Sequence, residues 1–151
     1  MKLKTLVGSG EMIGLLTLPF LVIGLALNAL IPGLFAVGGP PTGLQALAVA
    51  MLIPGVTLWL WSVVLILTEV PKGHLITTGP YAVVKHPLYT SVGLLVLPAV
   101  GLLLNSWLGA LIGSVVYVGS RLFSAAEEET LHRTFGARWD EYSSEVMIPW
   151  L

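Results

Sequence analysis

The chain has 151 residues, of which 56% are hydrophobic and 10% are charged, and its formal net charge is -1. Soluble domains carry about 25% charged residues, so this composition excludes an ordinary water-soluble fold, and the balanced charge gives no indication of a nucleic-acid partner. The sequence contains no cysteine, which excludes disulfides, thiolate metal ligands and a cysteine nucleophile.

Four hydrophobic segments follow one another along the chain, each near the roughly 20 residues needed to cross a bilayer. Each is predicted to be helical, because an isolated strand cannot satisfy its backbone groups in lipid. The first apolar run exceeds the h-region of a signal peptide and is predicted to be a retained helix. The predicted spans cover residues 11–30, 44–68, 88–104 and 107–126. Internal prolines are expected to kink these helices rather than end them, at Pro19, Pro54 and Pro98.

The positive charges indicate the orientation of the bundle. All of them fall at the N-terminus, in the second connection or towards the C-terminus: Lys2, Lys4, Lys72, Lys85, Arg121, Arg133 and Arg138. By the positive-inside rule, both termini and the second connection are cytoplasmic. The sequence therefore predicts one domain, residues 1–151, with an all-α fold: a polytopic membrane bundle of about four transmembrane helices.

The last part of the chain changes from apolar to charged and is predicted to be a cytoplasmic helical segment. Glu127 to Glu129 either end the fourth span or continue it beyond the bilayer, and Gly136 is the expected helix break. Trp139 and Tyr142 are three residues apart, so they are expected to share one face and to rest at the membrane interface.

The second connection, residues 73–89, has the composition of a structured loop rather than a linker. Gly79-Pro80 predicts a fixed turn, and Pro87 suits the first turn of the third span while it holds His86 away from helical dihedrals. This arrangement predicts a rigid polar loop at a helix N-terminus, where free backbone N–H groups favour an anionic group such as a carboxylate.

Asn105-Ser106 is too short for anything but a tight turn, so spans three and four form an antiparallel hairpin. The glutamates that begin at Glu127 should therefore return beside His86 and Tyr89. Carboxylates, tyrosines, a histidine and main-chain amides together can hold a zwitterionic cofactor that carries hydroxyl groups. Gly109 and Gly113 in the fourth span form a small-xxx-small pattern, which allows close helix packing.

Several spaced motifs in the second half of the chain carry a resemblance. They are Thr78-Gly-Pro-Tyr81, Lys85-His-Pro-Leu-Tyr89, Glu127-Glu128, Leu131, Phe135-Gly136, and Tyr142 up to Val146 and Pro149. Over residues 72–149 the chain resembles the isoprenylcysteine carboxyl methyltransferase and phospholipid methyltransferase superfamily. The resemblance implies a membrane methyltransferase that uses S-adenosylmethionine, with residues 72–149 as the cofactor-binding part after N-terminal spans in 11–68. The implied acceptor is a lipid-like molecule that enters from the membrane.

The resemblance also implies the residues of the site. Those expected to contact S-adenosylmethionine are Gly73, His74, Leu75, Ile76, Tyr81, His86, Pro87, Leu88, Tyr89 and Glu127. Candidate catalytic residues are Lys85, Arg121 and Glu128. Lys85 replaces an arginine that is usual in the family, and relatives place an arginine nearer to the glutamate pair than Arg121. The acceptor therefore stays open between an isoprenylcysteine carboxylate and a phospholipid amine.

Two other functions compete with methyl transfer. One is a membrane reductase of the sterol or fatty-chain type that uses NADPH, although its usual His-X-Asn-Tyr pattern differs from His86-Pro-Leu-Tyr89. The other is a four-span transporter or assembly subunit, for which an ionisable residue in mid-membrane would be expected. The distant positions of His74 and His132 predict no metal site.

Overall fold

A computed structural model describes residues 3–39 and 42–151. Lys2 of the charged N-terminus, the side chain of Lys4, and Pro40-Pro41 of the first connection lie outside the described residues. The described chain is helical and has no named strand, as the all-α prediction requires. The helices are α1 (Leu3–Leu30), α2 (Thr42–Glu69), α3 (Pro80–Val83), α4 (Pro87–Ser91), a π-helical turn (Val92–Val96), α5 (Leu97–Leu103), α6 (Leu108–Phe135) and α7 (Ala137–Glu145).

Three helices are long and apolar enough to cross a membrane: Ser9–Leu30, Thr42–Glu69 and Leu108–Phe135. The third predicted span is also helical, but it covers only Pro87–Leu103. A helix of this length rises about 25 Å, which is less than the roughly 30 Å thickness of the hydrocarbon core. The prediction of a membrane-spanning helical bundle is therefore confirmed for three helices, while the third segment is shorter than a full span.

The internal prolines are accommodated without ending the helices. Pro19 lies inside α1 and Pro54 lies inside α2. Pro98 lacks the N–H that would bond to the carbonyl of Leu94, and the chain forms its π-helical turn over this stretch, where the Leu97 amide donates to the Val92 carbonyl. Hence the helix from Pro87 to Leu103 stays continuous but is irregular in its middle.

Glycines let the Pro87–Leu103 segment lie directly against α6. A Cβ on Gly113 would overlap the Gly93 carbonyl, and a Cβ on Gly101 would lie 2.8 Å from the Gly109 Cα. The predicted small-xxx-small pattern at Gly109 and Gly113 is thus a close backbone contact. α6 occupies the centre, and α2 packs on the other side of the Pro87–Leu103 segment.

α1 runs antiparallel to α6 on the opposite side. A Cβ on Gly24 would lie 2.6 Å from Leu108 Cδ1, and one on Gly119 would lie 3.0 Å from Leu16 Cδ2. Residues near the start of α1 consequently lie beside residues near the end of α6. This alignment brings Ser9 to Glu127.

One end of the bundle, which we call the closed end, is formed by residues 31–39 and the turn Asn105–Trp107. The Trp107 amide donates to the Phe35 carbonyl at 2.9 Å, and the two rings meet edge to face with centroids 4.8 Å apart. Asn105 adopts φ 54°, and its Oδ1 accepts a hydrogen bond from the Gly39 amide at 3.1 Å. Backbone and aromatic contacts therefore seal this end.

At the other end, α6 continues past the predicted span to Phe135, and Gly136 (φ 55°) turns the chain into α7, as predicted. Trp139 and Tyr142 share one face of α7, but each is only 6% exposed, packed with Leu75 and neighbouring apolar side chains. Both rings are therefore covered by protein rather than exposed on the surface of α7. The reason is tertiary: the connection after α2 folds under α7 and covers them.

Candidate functional site

A cavity of about 370 Å³ lies at the end opposite the closed end, which we call the polar end. It lies where the start of α1, the end of α2, the start of α4, the end of α6 and α7 meet. Its volume falls in the range typical of small-molecule sites, about 300 to 1,000 Å³. The topology therefore gathers residues that are distant in sequence around one cavity.

One apolar wall of the cavity comes from α2. Val63, Ile66, Leu67 and Val70 line it, and they recur at the i, i+3, i+4, i+7 spacing of a single helix face. The motifs of the sequence lie after the first two spans, so this wall was not predicted. The i, i+3, i+4, i+7 spacing of these four residues is visible in the sequence. However, α2 is apolar on all sides, so the spacing does not distinguish a cavity wall from a lipid-facing surface.

The connection after α2 folds along the mouth of the cavity. Gly73 has φ 76° and turns the chain, and the His74 amide donates to the Glu69 carbonyl at 3.2 Å. The Glu69 carboxylate also contacts Lys72 Nζ and His74 Nδ1, each at 2.8 Å. Of the predicted residues here, His74, Leu75 and Ile76 line the cavity, whereas Gly73 lines a groove beside it.

Tyr81 enters the cavity from α3. The preceding Gly79 needs φ 63°, and a Cβ there would lie 2.9 Å from the Trp61 ring, so glycine is required for both reasons. The Tyr142 hydroxyl donates to the Tyr81 carbonyl at 2.9 Å and ties α7 to α3. Burial raises the pKa of both Tyr81 and Tyr142, so both phenols stay protonated and neutral near neutral pH.

His86 joins the second connection to α6. It precedes Pro87, the first residue of α4, with φ -124° and ψ 59°, as the proline predicted. Its ring is 7% exposed, and its Nε2 lies 3.1 Å from Glu128 Oε1. The other oxygen of Glu128 lies 3.3 Å from Lys85 Nζ. Lys85 and His86 line the cavity, while Glu128 holds both from behind.

Glu127 and Tyr89 meet on the α1 side of the cavity, and both line it. The Ser9 hydroxyl donates to Glu127 Oε2 at 2.5 Å, and the same Ser9 oxygen lies 3.3 Å from the Tyr89 hydroxyl. Leu88 also lines the cavity, whereas the buried Pro87 shapes the first turn of α4. The predicted meeting of the second connection with the end of the fourth span is therefore observed.

Arg121 does not join this group. It is exposed on α6, seven residues before Glu128, and forms no ion pair within residues 3–39 and 42–151. Seven residues correspond to about 10 Å of helix rise, and side chains on a helix tilt towards its N-terminus, away from the cavity. Arg121 is thus absent from the cavity lining, and its catalytic role stays a prediction.

The structure adds residues that the sequence analysis left out of the site. Gly10 of α1 and Trp139 and Tyr142 of α7 line the cavity. The spacing of the two aromatic residues indicated a common face, but not which surface covers that face. No signal in the sequence of α1 indicated that its start would reach the site. Within the described ranges, no group of three His, Asp or Glu side chains is arranged to hold a metal ion.

The fold and the cavity define a class: an integral membrane helical protein with a largely apolar cavity at one end of its bundle, which a few polar side chains also line. The sequence model of the isoprenylcysteine carboxyl methyltransferase (ICMT) family matches residues 44–133, more than half of the chain. The chain belongs to this family and is a membrane methyltransferase. Comparison with curated proteins and with solved structures gives no match. The family match does not support the reductase or the transporter.

Proposed function

We propose that this protein transfers a methyl group from S-adenosylmethionine to a lipid-like acceptor, at the cytoplasmic face of the membrane. The observation that carries the proposal is the cavity itself, which has a polar side at Glu127, His86 and Tyr89 and an apolar side along α2. A zwitterionic cofactor and an apolar acceptor need these two environments next to each other. Cytoplasmic sidedness rests on the positive charges near this end.

The polar residues fit the groups that such a cofactor carries. Glu127 offers a carboxylate to ribose hydroxyls or to positive charge, and Tyr81 and Tyr89 offer hydroxyls beside it. When bound, S-adenosylmethionine supplies an electrophilic methyl group on a sulfonium. The wall at His74, Leu75 and Ile76 contributes an edge that can enclose the cofactor.

The apolar wall serves the acceptor. α2 is largely exposed along its length, and its end forms one side of the cavity, so an acceptor can reach the cavity from the bilayer. Direct methyl transfer gains mainly from positioning and from exclusion of water, which an apolar enclosure provides. Lys85 lines the cavity, and its positive charge is balanced by the ion pair with Glu128. We keep both acceptor classes, a prenylated cysteine carboxylate and a phospholipid amine.

Cofactor binding is the first test. Isothermal titration of the protein in lipid nanodiscs with S-adenosylmethionine and S-adenosylhomocysteine should give saturable binding, and His86→Ala and Glu127→Ala should weaken it. Glu129→Ala is the matched control, because Glu129 is the next carboxylate on α6 but is exposed and pairs with Arg133 at 2.8 Å. Absence of binding by the intact protein, or binding of NADPH instead, would contradict the proposal.

The acceptor is tested with methyl-labelled cofactor. Separate reactions contain a prenylated cysteine analogue, phosphatidylethanolamine or a total lipid extract. Label that partitions into the organic phase identifies the class, and base treatment separates the products because methyl esters are hydrolysed and methylamines are not. A protein that binds the cofactor but labels none of these substrates would overturn the lipid-like acceptor.

A further inference from the structure

The hydroxyl of Ser9 connects α1 to the polar side of the cavity. It lies 2.5 Å from Glu127 Oε2 and 3.3 Å from the Tyr89 hydroxyl. Ser9 lies outside the residues that match the family, which begin at 44, so the match assigns it no role. It is also absent from the cavity lining, whereas both of its partners are part of that lining.

The number of hydrogens fixes the direction of this chain of contacts. A serine hydroxyl has one hydrogen, and an ionised carboxylate can only accept. Ser9 therefore donates its hydrogen to Glu127 and has only lone pairs left for Tyr89. Tyr89 must then donate its own hydrogen to Ser9. The order of donation runs from Tyr89 through Ser9 to Glu127.

This order decides what Tyr89 and Glu127 can offer to a ligand. The Tyr89 hydrogen is occupied, so its oxygen is left with lone pairs, and Glu127 retains its second carboxylate oxygen. Both are acceptors. A ligand bound there must supply donors, such as an ammonium group or ribose hydroxyls. Without Ser9, the Tyr89 hydroxyl could turn its hydrogen into the cavity and the pattern would no longer be fixed.

We propose that Ser9 is a positioning residue, which sets the Tyr89–Glu127 pair as an all-acceptor surface for the donor groups of the cofactor. This inference rests on the proposed use of S-adenosylmethionine. Ser9 touches neither the cofactor nor the acceptor, and it acts through the two residues that line the cavity. The start of α1 accordingly contributes to the methyltransferase site, in addition to beginning a membrane-spanning helix.

The packing of α1 supports this role independently. A Cβ on Gly10 would lie 3.1 Å from the Tyr89 hydroxyl oxygen, so the backbone of α1 passes close to this group. One turn later, a Cβ on Gly14 would meet nothing within 4 Å. α1 thus approaches the site closely at Ser9 and Gly10, and Gly14 provides a matched position without that approach.

The test compares Ser9→Ala and Ser9→Thr with the unaltered protein, by titration with S-adenosylmethionine. Ser9→Ala should weaken binding by about tenfold, because it removes a hydrogen bond to a charged group, and Ser9→Thr should restore most of the affinity. Thr17→Val is the control on the same helix, since the Thr17 hydroxyl bonds to the Ile13 carbonyl of its own helix. Thermal melting of each variant reports whether it folds.

A second experiment tests whether Ser9 acts through Glu127 or only supports the fold in general. In a double-mutant cycle, Ser9→Ala should add little to Glu127→Gln, because both changes remove the same charged hydrogen bond. Additive losses would overturn the inference. Gly10→Ala, which presses on Tyr89, should also weaken binding, whereas Gly14→Ala should not.

Two ligands identify the donor groups. If 5′-methylthioadenosine, which lacks the amino acid part, loses affinity in Ser9→Ala as S-adenosylmethionine does, the donors are the ribose hydroxyls. If only S-adenosylmethionine loses affinity, the donor is the ammonium group. Unchanged affinity for both ligands overturns the role of Ser9 and leaves the proposed function intact. Failure of the unaltered protein to bind S-adenosylmethionine overturns the proposed function itself.

Discussion

The two ends of the bundle are built in different ways. The closed end contains no charged residue in 31–39 or in 105–107. It is held by backbone hydrogen bonds, by the Asn105 side chain and by the Phe35–Trp107 ring pair. The polar end also has backbone hydrogen bonds, such as that from the Ile148 amide to the Val83 carbonyl, but it adds ion pairs and charged hydrogen bonds between side chains. Glu128 contacts Lys85 and His86, and Ser9 donates to Glu127. The cavity of about 370 Å³ lies at the polar end.

This difference indicates that the closed end contributes mainly to stability and the polar end mainly to ligand binding. Buried backbone groups must be satisfied wherever a chain crosses or caps a bilayer, and the closed end does this locally. The polar end instead directs a carboxylate, two histidines and three tyrosines towards a space that a ligand can fill. We therefore expect substitutions at the polar end to change binding and those at the closed end to change stability.

The largest expected effect is that of Glu127→Gln at the polar end. The amide keeps the shape of the side chain but removes its charge, so the affinity for S-adenosylmethionine should fall by about 100-fold, near the upper limit for a charged hydrogen bond. Titration in nanodiscs measures this loss, and thermal melting should show that the fold persists. If the variant binds as well as the unaltered protein, the charge of Glu127 does not contribute to cofactor binding.

Gly113→Ala should disturb both ends, because it acts where the Pro87–Leu103 segment meets α6. The added methyl group would overlap the Gly93 carbonyl, and overpacking of this kind costs about 1 to 3 kcal/mol. The melting temperature in detergent should fall clearly. Gly43→Ala is the control, since a Cβ at that position meets nothing within 4 Å. Equal melting temperatures for the two variants would argue against the close helix contact.

A smaller effect is expected at the closed end from Asn105→Ala. The backbone there has φ 54°, which costs alanine about 1 kcal/mol, and the Gly39 amide loses its acceptor. The melting temperature should fall while cofactor affinity stays within about twofold of the original value. Asn105→Gly should recover the part that comes from the backbone. Weakened cofactor binding in either variant would show that the two ends are coupled.

The smallest effect is expected from Arg121→Gln. Arg121 is exposed on α6 and lies about 10 Å from the level of Glu128, so cofactor affinity should change by less than about twofold. The same titration measures it beside Lys85→Gln, which removes a charge from the cavity lining. A tenfold loss for Arg121→Gln would place its side chain in the functional site and would extend the polar end along α6.

The sequence predicted the polar residues of the site better than the residues that other helices contribute to it. His86, Tyr89, Glu127 and Glu128 were found because a proline-bearing loop and a short turn constrain the chain locally, and a hairpin must bring its ends together. The α2 wall, Ser9 and Trp139 were not found. Their proximity depends on how separate helices pack, and in an apolar helix the cavity-facing and lipid-facing residues look alike.

By itself, the sequence determined that this chain is a membrane protein, which segments are helical, and that polar chemistry collects near one end. These properties follow from hydropathy, from backbone hydrogen bonding in lipid and from prolines and glycines, all of which act over short distances. Only the tertiary structure decided which side chains share the cavity. It left Arg121 out of the cavity lining, placed Trp139 and Tyr142 in a buried cluster, and brought Ser9 to Glu127. The reason is that contacts between helices depend on where glycines allow close approach, and this sets the relative height of residues that are more than 100 positions apart.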